Sequence, residues 1–281
     1  MANPELYEIA LRRELPGRPR LPVANGLNAG GLAVTRSGSP ARDRVLADGS
    51  RTHRKAAAMT DKDSYPGAGS FVPGDEASLA AVASAVQACR GCDLYECATQ
   101  AVFGRGPARA SVVLIGEQPG DAEDRTGVPF VGPAGKLLDR ALAEAGISPK
   151  VTYTTNAVKH FRWKPEPRGG KRRIHERPDT WQVKACWPWL AAELSRLRPR
   201  VVVTLGATAG QALFGSSFRV TSARGTPVSW PAPGRPEGRT RQVTVVPTIH
   251  PSAVLRADDR DAAYAGLVSD LRAAAAALSR R

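Results

Sequence analysis

Apolar residues follow two regimes along this chain. Residues 1–77 show little hydrophobic periodicity and are rich in Pro, Gly, Arg and Ser. From residue 77 onward the pattern is regular. Residues 77–88 are Ala/Val-rich at helical spacing and lead into Cys89. Residues 111–116 (SVVLIG) form a continuous apolar run, the pattern of a strand buried on both faces. Residues 133–145 (PAGKLLDRALAEA) predict an amphipathic helix, with Pro at its start and Gly146 past its end. A second strand is expected over 151–156, and a helix over 179–197 with Asp179 as N-cap. A third strand over 201–205 (VVVTL) precedes a short helix at 207–213. A fourth strand at 243–247 precedes a closing helix at 260–278. Residues 231–241 (PAPGRPEGRTR) read as an exposed loop. Strands alternating with helices imply a parallel sheet between helix layers, a three-layer α/β/α sandwich on four parallel strands.

This divides the chain into an extension, 1–77, and a single domain, 78–281. Residues 1–58 carry 10 Lys+Arg against 5 Asp+Glu, a net +5. Such a segment buries too little apolar surface to offset chain entropy and is expected to be disordered. Met59 is the only other methionine, so residues 1–58 could instead arise from start-site assignment.

The whole chain holds 40 Lys+Arg against 26 Asp+Glu, a net charge of +14. That surplus favours a polyanionic partner, nucleic acid or an anionic membrane surface, over an acidic one. A GC-rich genome that writes Arg freely is the plain alternative. No apolar run approaches the roughly 18 residues of a spanning helix, and no secretory pattern opens the chain. A cytoplasmic monomer is expected. Its four cysteines, Cys89, Cys92, Cys97 and Cys186, then suggest metal or redox chemistry more than disulfides.

In parallel sheets, ligands gather at the carboxyl ends of the strands. The segments there read GEQPGDAEDRTGVPFVGPAG, NAVKHFRWKP, LGATAG and TIHPSAVLR. Gly116, Pro119 and Gly120 allow sharp turns and close approach to a ligand. Beside them crowd Glu117, Gln118, Asp121, Glu123 and Asp124. The first segment has neither GxGxxG nor GK[ST], and its carboxylates would repel phosphate. A neutral heterocycle suits it better. His250 is either a structural loop histidine or a hydrogen-bond donor toward a leaving group. Ser252 and Arg256 beside it suit phosphate contacts. Cys89-x2-Cys92 with distant Cys186 gives three metal ligands, and the fourth could be Cys97 or His160. Cys97 and Cys186 could equally be small buried hydrophobes. In RGGKRRIH (168–175), Lys171, Arg172 and Arg173 are either a solvated basic loop or a DNA-backbone clamp presenting His175.

Seven ordered motifs, GEQPGDAED, PFVGPAG, NAVKH, GGKRRIH, VKACWPWL, LGATA and HPSAVLR, resemble the iron–sulfur uracil-DNA glycosylases of family 4, the UdgX class most closely. The resemblance covers residues 89–278. It implies a [4Fe–4S] cluster on Cys89, Cys92 and Cys186. His160 stands where ordinary family 4 enzymes have a cysteine, and Cys97 becomes surplus. It implies uracil-containing DNA, single-stranded, as the partner. Phe130 would stack on the flipped base and Asn156 would read its Watson–Crick edge. Gly116, Gln118 and Asp121 would complete the base-contacting group, and His250 would stabilise the departing uracil. Glu117 would orient His175 or a water. The UdgX likeness further implies that His175 bonds to the sugar C1′. Two other readings stay open: a turnover glycosylase, in which His175 only contacts backbone, and a catalytically silent, metal-stabilised nucleic-acid-binding module.

Overall fold

The computed structural model describes residues 62–167, 170, 172–232 and 241–280. Residues 1–58, and with them the expectations about their origin, lie outside the described residues. So do Lys171, Arg168 and Gly169, and with them part of the expected basic clamp and hinge.

The first helix, α1 (Leu79–Ala85), is capped by Ser78, whose hydroxyl accepts from the Ala81 N–H at 3.1 Å. Strand β1 (Val112–Gly116) is buried throughout. It runs into α2 (Asp121–Thr126) and α3 (Pro133–Glu144). Strand β2 (Thr152–Asn156) leads to a small antiparallel hairpin of β3 (Trp163–Pro165) and β4 (Arg173–His175). Next come α4 (Thr180–Leu197), β5 (Val201–Leu205), α5 (Ala207–Phe214) and a single turn, α6 (Val220–Ala223). Strands β6 (Val228–Ala232) and β7 (Arg241–Thr248), then α7 (Pro251–Leu255) and α8 (Arg260–Ser279), complete the described part.

The main sheet has the order β2-β1-β5-β7-β6. The four expected strands are parallel to one another. The fifth, β6, departs from expectation: it pairs antiparallel with β7 at the edge. Pro231 makes this stretch read as loop, but an edge strand tolerates proline because one side makes no ladder bonds. Trp230, beside it, is buried and donates to the Leu213 carbonyl at 3.1 Å. The sheet is therefore mixed, with an antiparallel edge on a parallel centre.

Alternation along the apolar strands builds two cores. Val113, Ile115, Val202 and Val245 pack with Leu190 and Leu194 of α4 and Leu213 of α5. Val112, Leu114, Val201, Val203 and Val246 pack with Leu138 and Leu142 of α3 and Leu267 and Leu271 of α8. Period-2 packing on both faces explains why these strands read as unbroken hydrophobic runs.

A third core joins Ala68, Val82, Val86, Leu94, Phe103, Val158 and Trp189 with Cys89, Cys92 and Cys186. It corrects the boundary at Ser78. Ala68 is buried, and the Gly67 N–H donates to the Gly91 carbonyl at 3.0 Å. Arg196 of α4 donates to the carbonyls of Ala77 (2.7 Å) and Gly74 (2.8 Å). Residues 67–77 are held to the body by these hydrogen bonds and by Ala68, Phe71 and Val72 packing on the third core, contacts that follow no helical or strand periodicity.

Candidate active site

The carboxyl ends of β1, β2, β5 and β7 open onto one cleft of about 560 Å³. Glu117, Gln118, Phe130, Asn156, His175, His250, Ser252 and Arg256 all line it, as the strand-end argument requires. Gly120 and Glu123, which the sequence sets beside a ligand, line it too, together with Ala134 and Gly206, to which sequence reasoning gave no role. A second hollow, of about 280 Å³, is lined by Phe214, Ser217, Phe218, Ala223 and Val228 and has no titratable wall.

The floor admits no bulk. A Cβ on Gly116 would lie 2.3 Å from Asn156 Oδ1 and 2.7 Å from Phe130 Cζ. Phe130 adopts φ 58°, a left-handed conformation costly for a non-glycine residue. A Cβ on Gly135 would sit 1.8 Å from the Phe130 carbonyl oxygen, so the tight path around Phe130 requires glycine there. The Phe130 and His250 rings lie 6.3 Å apart and nearly parallel. Glu123 braces the loops on either side of the cleft. Its carboxylate accepts from the Gly120 N–H at 3.0 Å and the Gly132 N–H at 2.9 Å.

His250 is the N-cap of α7, and Pro251 at the first helical position fixes the turn. The Ser252 N–H donates to His250 Nδ1 at 3.1 Å, and Ser252 Oγ lies 2.7 Å from the same nitrogen. A nitrogen that accepts carries no proton. The neutral ring therefore bears its proton on Nε2, a donor left for the cleft. Burial pushes His250 down to about 4, with nearby His175 and Arg256 adding to the effect. Ser252 thus orients the His250 ring.

His175, on β4, is half exposed, with Nε2 3.6 Å from Glu117 Oε1. Partial burial lowers its pKa, and the Glu117 carboxylate opposes that. Glu117 also accepts a very short hydrogen bond from Thr208 Oγ1 of α5. Arg177 Nε donates to Thr208 Oγ1 at 3.0 Å and lies 3.9 Å from Glu117. Beyond the LGATAG segment, nothing in the order of residues signals this pair.

Gln118 is nearly buried and clasps the ends of the hairpin. Its amide donates to the carbonyls of Arg162 (3.1 Å) and Glu176 (2.9 Å), and accepts from the Arg162 N–H at 3.0 Å. Two expectations change at the hairpin. Arg173 is no DNA clamp: it turns inward, donating to Asp124 at 2.6 Å and to Asp121 through a very short bond. Asp121, expected among the base contacts, is not part of the cleft lining. Its carboxylate is spent on Arg125 and Arg173, which hold it below the usual carboxylate range. Arg172 is exposed.

Cys89, Cys92 and Cys186 are buried in one core, and His160 is buried beside Lys159. The Lys159 N–H donates to Cys186 Sγ at 3.3 Å, and Trp189 Nε1 to Cys89 Sγ at 3.2 Å. Burial pushes the Cys92 thiol up to about 12. Among the described residues, no three His, Cys, Asp or Glu side chains converge on a single-ion site. A polynuclear cluster has no such requirement, because its ligands bind separate irons. Cys97 is exposed.

A doubly wound sheet with a compact, mostly neutral cleft at its strand ends is the architecture of a small-ligand α/β protein. Comparison with known proteins narrows the class. Residues 103–272 match the model of the uracil DNA glycosylase superfamily. A type-4 uracil-DNA glycosylase of Thermotoga maritima is 35% identical over 176 residues, 62% of this chain and 82% of that protein. Those of Archaeoglobus fulgidus (34% over 185 residues, 63% and 83%) and Sulfurisphaera tokodaii (32% over 183 residues, 63% and 76%) are similar to it as well. The chain belongs to the uracil DNA glycosylase superfamily. Among the described residues, no helix is long and apolar enough to cross a membrane.

Proposed function

We propose that this protein excises uracil from DNA. The observation that carries this is the meeting of Phe130, Asn156, Glu117 and His250 in one cleft. The names of its relatives support the same activity. A base must leave the stack to reach such a cleft. Phe130 stacks on it, and the Asn156 amide reads its edge. As the C1′–N1 bond breaks, its electron pair leaves with uracil. His250 Nε2–H donates to the oxygen on which that charge gathers, a preorganised neutral donor of the kind that stabilises transition states. The sugar is left as an oxocarbenium ion. Glu117 takes the proton of an attacking water, uracil gains one, and a free abasic site results. Arg256 at the cleft and exposed Arg172 serve the DNA backbone.

A second reading is favoured by His175 standing 3.6 Å from Glu117 in the same cleft. Its imidazole lone pair attacks C1′ in place of water, and Glu117 receives the ring N–H proton. Uracil takes up the equivalent proton. A histidine–C1′ bond then joins protein to DNA, and turnover stops. Incubation with a uracil-bearing single-stranded oligonucleotide separates the two. Free uracil with unshifted DNA on a denaturing gel fits turnover. A slower band, lost in His175→Ala while uracil release persists, fits capture. No uracil release at all would refute excision.

Cys89, Cys92 and Cys186, buried in one core, with His160, itself buried and next in the chain to Lys159, whose N–H donates to Cys186 Sγ, would supply three thiols and an imidazole to a [4Fe–4S] cluster. When bound, the cluster supplies a structural tie between the Cys89 segment and α4, with imidazole for thiolate removing one negative charge.

A further inference from the structure

Two opposite charges are fully buried beside the base-reading strand, and neither lines the cleft. Lys159 and Glu193 are ion-paired with side-chain exposures of 0% and 0%. Such a pair is a weak source of stability, because desolvation offsets its attraction, so stability alone does not account for it.

The backbone around it shows one. Strand β2 lies at the edge of the sheet. Its outer side is followed antiparallel by residues 102–105. Arg105 and Thr154 exchange N–H···O bonds of 2.8 Å. Regular alternation would make Phe103 and Asn156 the next hydrogen-bonded pair. Among the described residues that backbone pair is not formed. Instead the Asn156 carbonyl accepts from Lys159 Nζ at 2.8 Å, while the Gly104 N–H, at a position that makes no ladder bond to β2, donates to Glu193 Oε1 at 3.1 Å. The contact resumes out of register, with the Val102 N–H on the Lys159 carbonyl at 2.8 Å. Lys159 Nζ also donates to Thr155 Oγ1 (2.8 Å), and Glu193 accepts from Tyr153 Oη and Thr155 Oγ1, both at 2.9 Å. The ion pair fills a gap in the ladder at Asn156. The Asn156 side-chain amide has no hydrogen-bond partner among the described residues, so its aim depends on its main chain.

We propose that Lys159, held by Glu193, is a positioning residue for base recognition: it fixes the Asn156 backbone and so sets the preference for uracil over cytosine. This rests on the excision reading above. The test uses the full-length, iron-loaded protein. Single-turnover base release is followed from oligonucleotides carrying one uracil or one cytosine, alongside binding of an abasic-analogue oligonucleotide, iron content and thermal midpoint. In Lys159→Met and Lys159→Met/Glu193→Leu, uracil release is expected to fall about 100-fold, the effect of misplacing a reacting group by about 1 Å. The uracil-to-cytosine ratio should fall as well, with abasic-analogue binding unchanged. An iron-replete double variant that releases uracil at the wild-type rate overturns the proposal. So does a uniform loss of stability, analogue binding and activity with the base ratio preserved. Should both variants fail to fold, Thr155→Val removes one partner of Nζ and keeps the charges. A lowered base ratio there supports the proposal, and an unchanged one overturns it. Wild-type protein that releases no uracil would sink the excision reading itself, and the positioning role with it.

Discussion

His250 commits one ring nitrogen to its own helix and keeps the other for the cleft, and burial holds it neutral down to about 4. The unfolded ring binds its proton near the ordinary value of about 6.5. As pH falls, the unfolded state is protonated first, so stability declines between about 6.5 and about 4 and levels off below. The loss is on the order of 3 kcal/mol. Denaturant unfolding of wild type and His250→Gln, compared from about pH 7 to 4, should show the excess slope in wild type only. Parallel curves would contradict the neutral assignment. Much of the site is legible in the sequence at this scale. Glu117 and His250 lie just past strand ends and Asn156 ends its strand, and strand ends are where ligands bind. The Lys159–Glu193 pair is not legible, because its 34-residue separation closes only when β2 meets α4. The Asp121–Arg173 pair is hidden for the same reason: nothing local shows that the Asp121 oxygens face Arg173.

The β3–β4 hairpin is short, yet it carries the histidine nearest Glu117. Arg173 anchors it to α2 through Asp121 and Asp124, and the Arg173 side chain also lies 5.3 Å over Phe161 and 5.4 Å over Trp163. Asp124 is wholly buried. Removing one partner of a buried pair costs about 3 kcal/mol or more. Arg173→Ala should therefore lose about that much stability in denaturant titration. It should also depress any His175–DNA adduct more than it depresses uracil release. Equal losses in both would argue that the hairpin has no separate role in placing His175. In the sequence this segment resembles a loop because runs of charge are usually solvated. Two of its basic residues can be compared: Arg172 is exposed, and Arg173 is internal. The buried strands are legible because short, unbroken Val/Ile/Leu runs bounded by turn residues suit a sheet covered on both faces. Strand β6 is not, because Pro231 is allowed only at an edge, and edges are assigned by topology.

The molecule joins a sheet with two cores to a third core made largely from its N-terminal segment. Cys89 and Cys92 belong to that segment, and Cys186 to α4. A cluster across them would close a loop of about 97 residues (186 minus 89), and such closures stabilise chiefly by restricting the unfolded chain. Chelating iron from the purified protein, or Cys186→Ser, should make residues 68–97 the first to be cut in limited proteolysis, with the sheet persisting longer. Uniform digestion, or preparations without iron and sulfide, would count against the cluster. The cysteine spacing is visible in the sequence, and the packing of Ala68 beside it is not. Gln118 has a different implication at this scale. One side chain holds both Arg162 and Glu176, so the intervening segment enters and leaves the body at a single point. Outside its second anchor, the Arg173 pair with Asp121 and Asp124, such an insert is a cassette whose exposed positions can change without moving the sheet or the base pocket. One scaffold could then change what becomes of its product by exchanging a single segment, with Asn156 and His250 left in place.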